Sequence, residues 1–140
     1  MPLPSAQNAR PYYRAAMQRL DDARFLLDQG DRTNAAVYLA GYGVECILKS
    51  LLLSSLPAGR HDEIITEFRR RGQGHSYDWL KNEYVSAGGA PFPDTVQRHF
   101  VTVSSWAVDL RYETGAIKRK EAETFVSAAE EIVKWADGRM

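Results

Sequence analysis

One cysteine, three histidines and an even balance of charge exclude several large classes of function at the outset. Cys46 has no second thiol within the 140 residues, so no intramolecular disulfide forms and nothing in the chain asks for an oxidising compartment. That thiol and His61, His75 and His99 show no paired ligand spacing, so neither a zinc site nor any other metal is expected. No glycine-rich phosphate loop follows a strand pattern, and no cofactor is expected. Eighteen basic side chains cancel eighteen acidic ones, which removes long-range attraction for nucleic acid or an anionic membrane. Any such binding has to come from a local patch. The opening residues MPLPSAQNARPYYR carry no apolar signal-peptide core, and the expected location is cytoplasmic. Repeats, low-complexity tracts and linkers are absent too. A chain with 44% hydrophobic and 26% charged residues is therefore expected to form one domain over 1–140, with a core of about 10–136.

What is present is one long apolar run, AAVYLAGYGVECILKSLLL, over residues 35–53, with Glu45 and Lys49 near its middle. A membrane span needs about 20 mostly apolar residues, and each charge near the bilayer centre costs roughly 2.5–3.5 kcal/mol. Two charges argue against insertion. A central helix of a bundle, apolar nearly all round, accounts for the run at lower cost, and no membrane partner is expected.

The neighbouring segments supply helices to pack on it. From Pro11 to Leu27, the residues Tyr13, Ala16, Met17, Leu20, Ala23 and Leu27 recur at helical spacing. Gly30 suits a C-terminal cap and Asp31 an N-terminal one, so a short connection leads to an antiparallel second helix that ends before Pro57. A third segment has Ile64, Ile65 and Phe68 on one side, is broken at Gly72 and Gly74, and restarts at Ser76 as a short helix through Tyr84. After the loop SAGGAPFP, Asp94 is expected to cap a helix with Val96, Phe100, Val103, Ala107 and Leu110 on one face; its β-branched residues are compatible with a strand, but the spacing favours helix. The cleanest stripe is the last: Ala122, Phe125, Val126, Ala129, Ile132, Val133 and Ala136, closed by Gly138. The expected fold class is all-α, an antiparallel bundle of four to five main helices with a short helix or two in the 60–86 region.

At about 100° per residue, Asn34, Tyr38, Tyr42, Glu45 and Lys49 project within a stripe roughly 80° wide. Glu45 precedes Lys49 by four residues, the favourable order for an ion pair. This stripe points away from Ala36, Ala40, Ile47 and Leu51, which leaves three places for it: a groove, a dimer contact or the solvent edge. As a purely structural feature it is a partly exposed pair on a core helix.

The order of features resembles a known family. RLDDARFLLDQGD (Arg19 to Asp31) precedes the apolar run, HSYDWL (His75 to Leu80) and WAVDLRYE (Trp106 to Glu113) follow it, and an amphipathic helix ends the series. Over about Arg10 to Trp135 the chain is similar to the HEPN domain, the higher eukaryote and prokaryote nucleotide-binding helical bundle. The resemblance implies a helical bundle that is commonly dimeric, and members often stand beside a small nucleotidyltransferase or act as RNA-cleaving toxins. It implies working positions at Tyr38, Tyr42, Glu45, Lys49, Arg111 and Tyr112.

RNA-cleaving members carry an arginine followed four to six residues later by a histidine, before the last helix. The histidine moves a proton while the arginine holds a phosphate of rising charge. Here Arg111 stands in the comparable region, but RYETGAIKRK follows it and no histidine occurs after His99. The resemblance is therefore to the branch without that motif, and Arg111 with Tyr112 is carried over as a structural or ligand-contacting pair. RRRGQGH places Arg70 and His75 at the right spacing in the wrong element; Arg69, Arg70 and Arg71 form a candidate anion patch. As ordinary surface, the same arginines complement the carbonyls closing a short helix. His75 is expected to fix the start of the short helix, and His61 and His99 to lie at the surface or an interface. Trp79, Trp106 and Trp135 are expected as core or interface anchors.

Three functions fit these residues. The first is a homodimeric binding module for a nucleotide or RNA-containing ligand, or for a nucleotidyltransferase partner in a toxin–antitoxin-like system. The second is a metal-independent ribonuclease toxin using Arg70, His75 or Arg111. The third is a purely structural partner subunit.

Overall fold

The computed structural model describes residues 2–70, 73–107 and 114–140. Among the described residues six α-helices follow one another: α1 Arg10–Asp28, α2 Thr33–Ser55, α3 His61–Phe68, α4 Tyr77–Ser86, α5 Asp94–Val103 and α6 Arg119–Asp137. Single 3₁₀ turns occupy Gln7–Ala9, Ala58–Arg60, Gln73–His75 and Ser104–Ala107. No strand occurs among the described residues, and the bundle is the all-α architecture read from the spacing.

Helix α1 starts with Pro11 in its first turn, where the missing N–H costs nothing, and buries Tyr13, Ala16, Leu20, Ala23 and Leu27. The turn to α2 departs from the expected caps. Gln29 closes α1, Arg32 precedes α2 without a side-chain cap, and Asp31 takes the left-handed conformation (φ 49°). That reversal returns the Arg32 N–H to the Leu26 carbonyl, and the Asp31 carboxylate, instead of capping α2, pairs with Arg119 at 3.1 Å.

Helix α2 is the hub, packed by α1, α4 and α6. It is long and apolar enough to cross a membrane by length and composition, but most of that surface is buried against other helices. Two glycines let neighbours come close on different sides. A Cβ on Gly41 would overlap the fully buried indole of Trp106, and one on Gly43 would stand 3.1 Å from the side chain of Leu20. Leu56 then turns extended before Pro57, as the ring of a following proline demands, and ends the helix.

The short elements cover one flank of α2. Ser76 caps α4 as expected, its hydroxyl accepting from the Trp79 N–H at 3.2 Å. His61, expected at the surface or an interface, is buried within the bundle: its Nδ1 meets the Asn8 amide at 3.1 Å and its Nε2 the Leu56 carbonyl at 3.0 Å. The nearby N-terminal segment supplies that cover, which helical spacing around residue 61 does not reveal.

The segment expected as the fourth main helix is helical, as α5, and buries Val96, Phe100 and Val103; Leu110 lies outside the described residues. Pro93 rather than Asp94 holds the cap position, and Asp94 opens the helix with its charge beside the N-terminal amides but no capping bond. All seven residues of the last stripe are buried in α6. Across the outer seam of α1 and α6, Arg24 bonds Glu130 at 2.6 Å, Glu123 at 2.8 Å and Asp28 at 3.3 Å. Arg24 carried no sequence signal, because two of its partners lie on a helix about a hundred residues away.

Candidate functional site

Glu45 and Lys49 do form the pair their spacing favours, Nζ to Oε2 at 2.9 Å. The pair is not at a solvent edge: Glu45 is 3% and Lys49 8% exposed. Aromatic neighbours enclose it, with Nζ 5.3 Å from the centre of the Phe68 ring and 6.0 Å from that of Tyr12. An ammonium over ring faces recovers part of its lost hydration. Removing either charge would strand the other in a poorly hydrated site, so the pair is a strong constraint on this end of the bundle.

A third member was not readable from spacing. His75 Nδ1 lies 3.0 Å from Glu45 Oε1, and its ring is 45% exposed. One carboxylate therefore joins an enclosed ammonium to a half-open imidazole. With a carboxylate as its partner, Nδ1 is the donating nitrogen, and Nε2 has no hydrogen-bond partner among the described residues. His75 thus does more than start α4. It ties the 3₁₀ turn to α2 across 30 residues of sequence.

The other half of the stripe is aromatic. Tyr38 and Tyr42 meet edge to face with ring centres 5.0 Å apart, and Tyr42 stands on Trp106 at 5.1 Å. Trp106 donates Nε1–H to the Tyr38 carbonyl at 3.1 Å and stacks on Tyr77 at 5.8 Å; the Tyr77 hydroxyl donates to the Gly41 carbonyl at 2.8 Å. The ring of Tyr38 is 39% exposed at the outer edge of this cluster. Asn34, the first member of the stripe, is engaged with the chain leading into α6. Its amide donates to the Gly115 carbonyl at 2.9 Å and its oxygen accepts from the Ile117 N–H at 2.8 Å.

The basic run closes α3. Arg69 and Arg70 are exposed, Arg70 pairs loosely with Glu67 at 3.4 Å, and Arg71 lies outside the described residues. Gly74 is pressed against the end of α3, where an added Cβ would overlap the Phe68 carbonyl, so the turn carrying His75 abuts the turn carrying Arg69. Burial raises the Tyr12 phenol, and the Arg69 guanidinium partly opposes the rise. Burial also raises the Cys46 thiol, and Glu45 adds to it, which makes Cys46 a poor nucleophile. Arg111 and Tyr112 lie outside the described residues.

The tryptophans anchor the core as expected. Trp106 is fully buried, Trp79 packs on Phe68 at 6.4 Å and Trp135 on Phe92 at 4.9 Å. Two open clefts of about 390 and 510 Å³ run between α5 and α6, meet at Thr102 and Thr124, and contain no residue of α2. Among the described residues, no group of three or more His, Cys, Asp or Glu could hold a metal ion.

No curated protein and no solved structure matches the chain. The model of the HEPN domain matches residues 9–139, the span of all six helices. A helical bundle with an apolar central helix carrying Glu45 and Lys49, matched over nearly its whole length, belongs to the HEPN domain family.

Proposed function

We propose that the chain is a binding module for a nucleotide or RNA-containing ligand, acting as a homodimer and set beside a nucleotidyltransferase partner in a toxin–antitoxin-like system. Membership of the HEPN family supports the nucleotide- or RNA-related class. The observation that carries the reading to a surface is the arrangement along α2: an open tyrosine edge at Tyr38, backed by the half-buried Tyr42, and exposed cations at Arg69 and Arg70 beside the Lys49 end. From residue 38 to residue 49 a helix rises roughly 17 Å, the reach of a short oligonucleotide. A base stacks on the tyrosine edge and phosphates meet the arginines.

Glu45 and Lys49 take a different part from direct contact. Both are enclosed, so they brace the floor between the two ends. Arg111 and Tyr112 enter the reading on the family resemblance alone. Cleavage by the arginine–histidine pair of the RNA-cutting members is not included, since no histidine follows Arg111.

Titration calorimetry of the whole chain with a panel of nucleotides and short single-stranded RNAs tests the proposal. Wild type is expected to bind at least one of them, Tyr38→Ala to lose about 1–3 kcal/mol of stacking, and the double variant Arg69→Ala/Arg70→Ala to show a shallower salt dependence. Absence of binding across the panel, or binding indifferent to both variants, overturns it.

A further inference from the structure

Among the described residues, one imidazole is built differently from the other two. Both ring nitrogens of His61 are bonded inside the core, and His99 has no carboxylate partner. His75 has its Nδ1 fixed by a carboxylate that is itself 3% exposed, while its Nε2 has no hydrogen-bond partner among the described residues and the side chain is 45% open to solvent. A nucleophile within hydrogen-bonding reach of an orienting group that is held in turn by a third is the arrangement that activates side chains for covalent chemistry. Glu45 is that orienting group, and Lys49 holds its other oxygen at 2.9 Å.

We propose that His75 is a nucleophilic histidine whose Nε2 accepts a phosphoryl group from a small phosphoryl donor, with Glu45 as its positioning residue. The Nε2 lone pair forms the N–P bond as the bond from phosphorus to the leaving group breaks, and the leaving group departs with that electron pair. The ring acquires positive charge in this step, and Nδ1–H directs it at the Glu45 carboxylate, which no water has to replace. The phosphoryl oxygens emerge beside the last turn of α3, where the close Gly74–Phe68 contact has brought Arg69 and Arg70. Guanidinium groups suit a phosphoryl dianion there. This inference stands apart from the nucleotide reading: it requires no base-stacking surface, and loss of nucleotide binding with labelling intact would leave it in place.

Phosphoramidate is the probe, since its phosphoryl group transfers to imidazole with release of ammonia. The folded chain is exposed to it and the adduct located by peptide mass spectrometry under conditions that preserve N–P bonds. His75 is expected to label about tenfold faster than the same histidine in an unstructured peptide of sequence GQGHSYD, and Glu45→Gln to remove that advantage. Labelling at or below the peptide rate overturns the proposal, as does a folded Glu45→Gln variant labelled as fast as wild type. Should that variant fail to fold by circular dichroism, the peptide comparison decides alone.

Discussion

Replacing Gly41 by alanine sets two opposed effects against each other on one helix. Alanine is the better helix former by about 1 kcal/mol, and on an exposed helix the change would stabilise. At Gly41, however, the new methyl group falls on the Trp106 ring, overlapping Nε1, Cδ1 and Cδ2. The ring cannot slide aside. It is fully buried, stacked on Tyr77 with planes only 11° apart, and bonded through Nε1 to the Tyr38 carbonyl. Expelling such a side chain costs about 3–5 kcal/mol in cavity and transfer terms. Losing its hydrogen bond adds about 1 kcal/mol. After the helical gain is subtracted, Gly41→Ala is expected to destabilise by roughly 3–5 kcal/mol. Urea unfolding followed by far-UV circular dichroism measures the loss, and tryptophan fluorescence should show an indole more open to water. Gly59 is the control, because an added Cβ there has nothing within 4 Å. A Gly41→Ala variant as stable as wild type would refute the close fit of α2 and Trp106.

Two further changes test the charged and phenolic groups. Lys49→Met leaves Glu45 enclosed with only His75 for a partner and is expected to cost about 3 kcal/mol by denaturant unfolding; Glu45→Gln/Lys49→Met should recover much of that, and strictly additive losses would contradict a coupled pair. Burial first, then the Asp137 carboxylate, pushes the Tyr13 phenol up to about 12 from an ordinary 10.0. A raised phenol contributes stability that is whole below pH 10 and disappears as pH climbs towards 12, at about 1.4 kcal/mol per unit of separation. Unfolding free energies from pH 8.5 upward should therefore fall in wild type and fall less in Tyr13→Phe; parallel curves would show that the phenol is not responsible.

Periodicity made the long helices legible. The stripes of α1 and α6 are buried nearly residue for residue, because a helix that faces one core must repeat its apolar side chains at a fixed angle. The same angular rule grouped Asn34, Tyr38, Tyr42, Glu45 and Lys49, and the ion pair within that group is real. Burial of the pair was hidden, since it depends on Phe68, Tyr12 and the His75 turn closing over α2 from other parts of the chain. The same holds for Asn34, which reaches Gly115 and Ile117, and for Arg24, which reaches Glu123 and Glu130. Caps were read unevenly for a local reason: Ser76 performs as its side chain allows, whereas Asp31 is drawn into a positive-φ turn and towards Arg119. Long-range polar contacts leave no periodic trace, and at this site they decide which groups are open and which are sealed.

The two glycines of α2 act as notches about 200° apart around its axis, one admitting an indole and the other a leucine. A cylinder keyed on two sides can neither roll nor advance by a residue without driving backbone into a filled slot. Any shape change that accompanies an encounter must then be absorbed by the shorter pieces, α3, α4 and the turn bearing His75. The central rod serves as the fixed datum against which they shift.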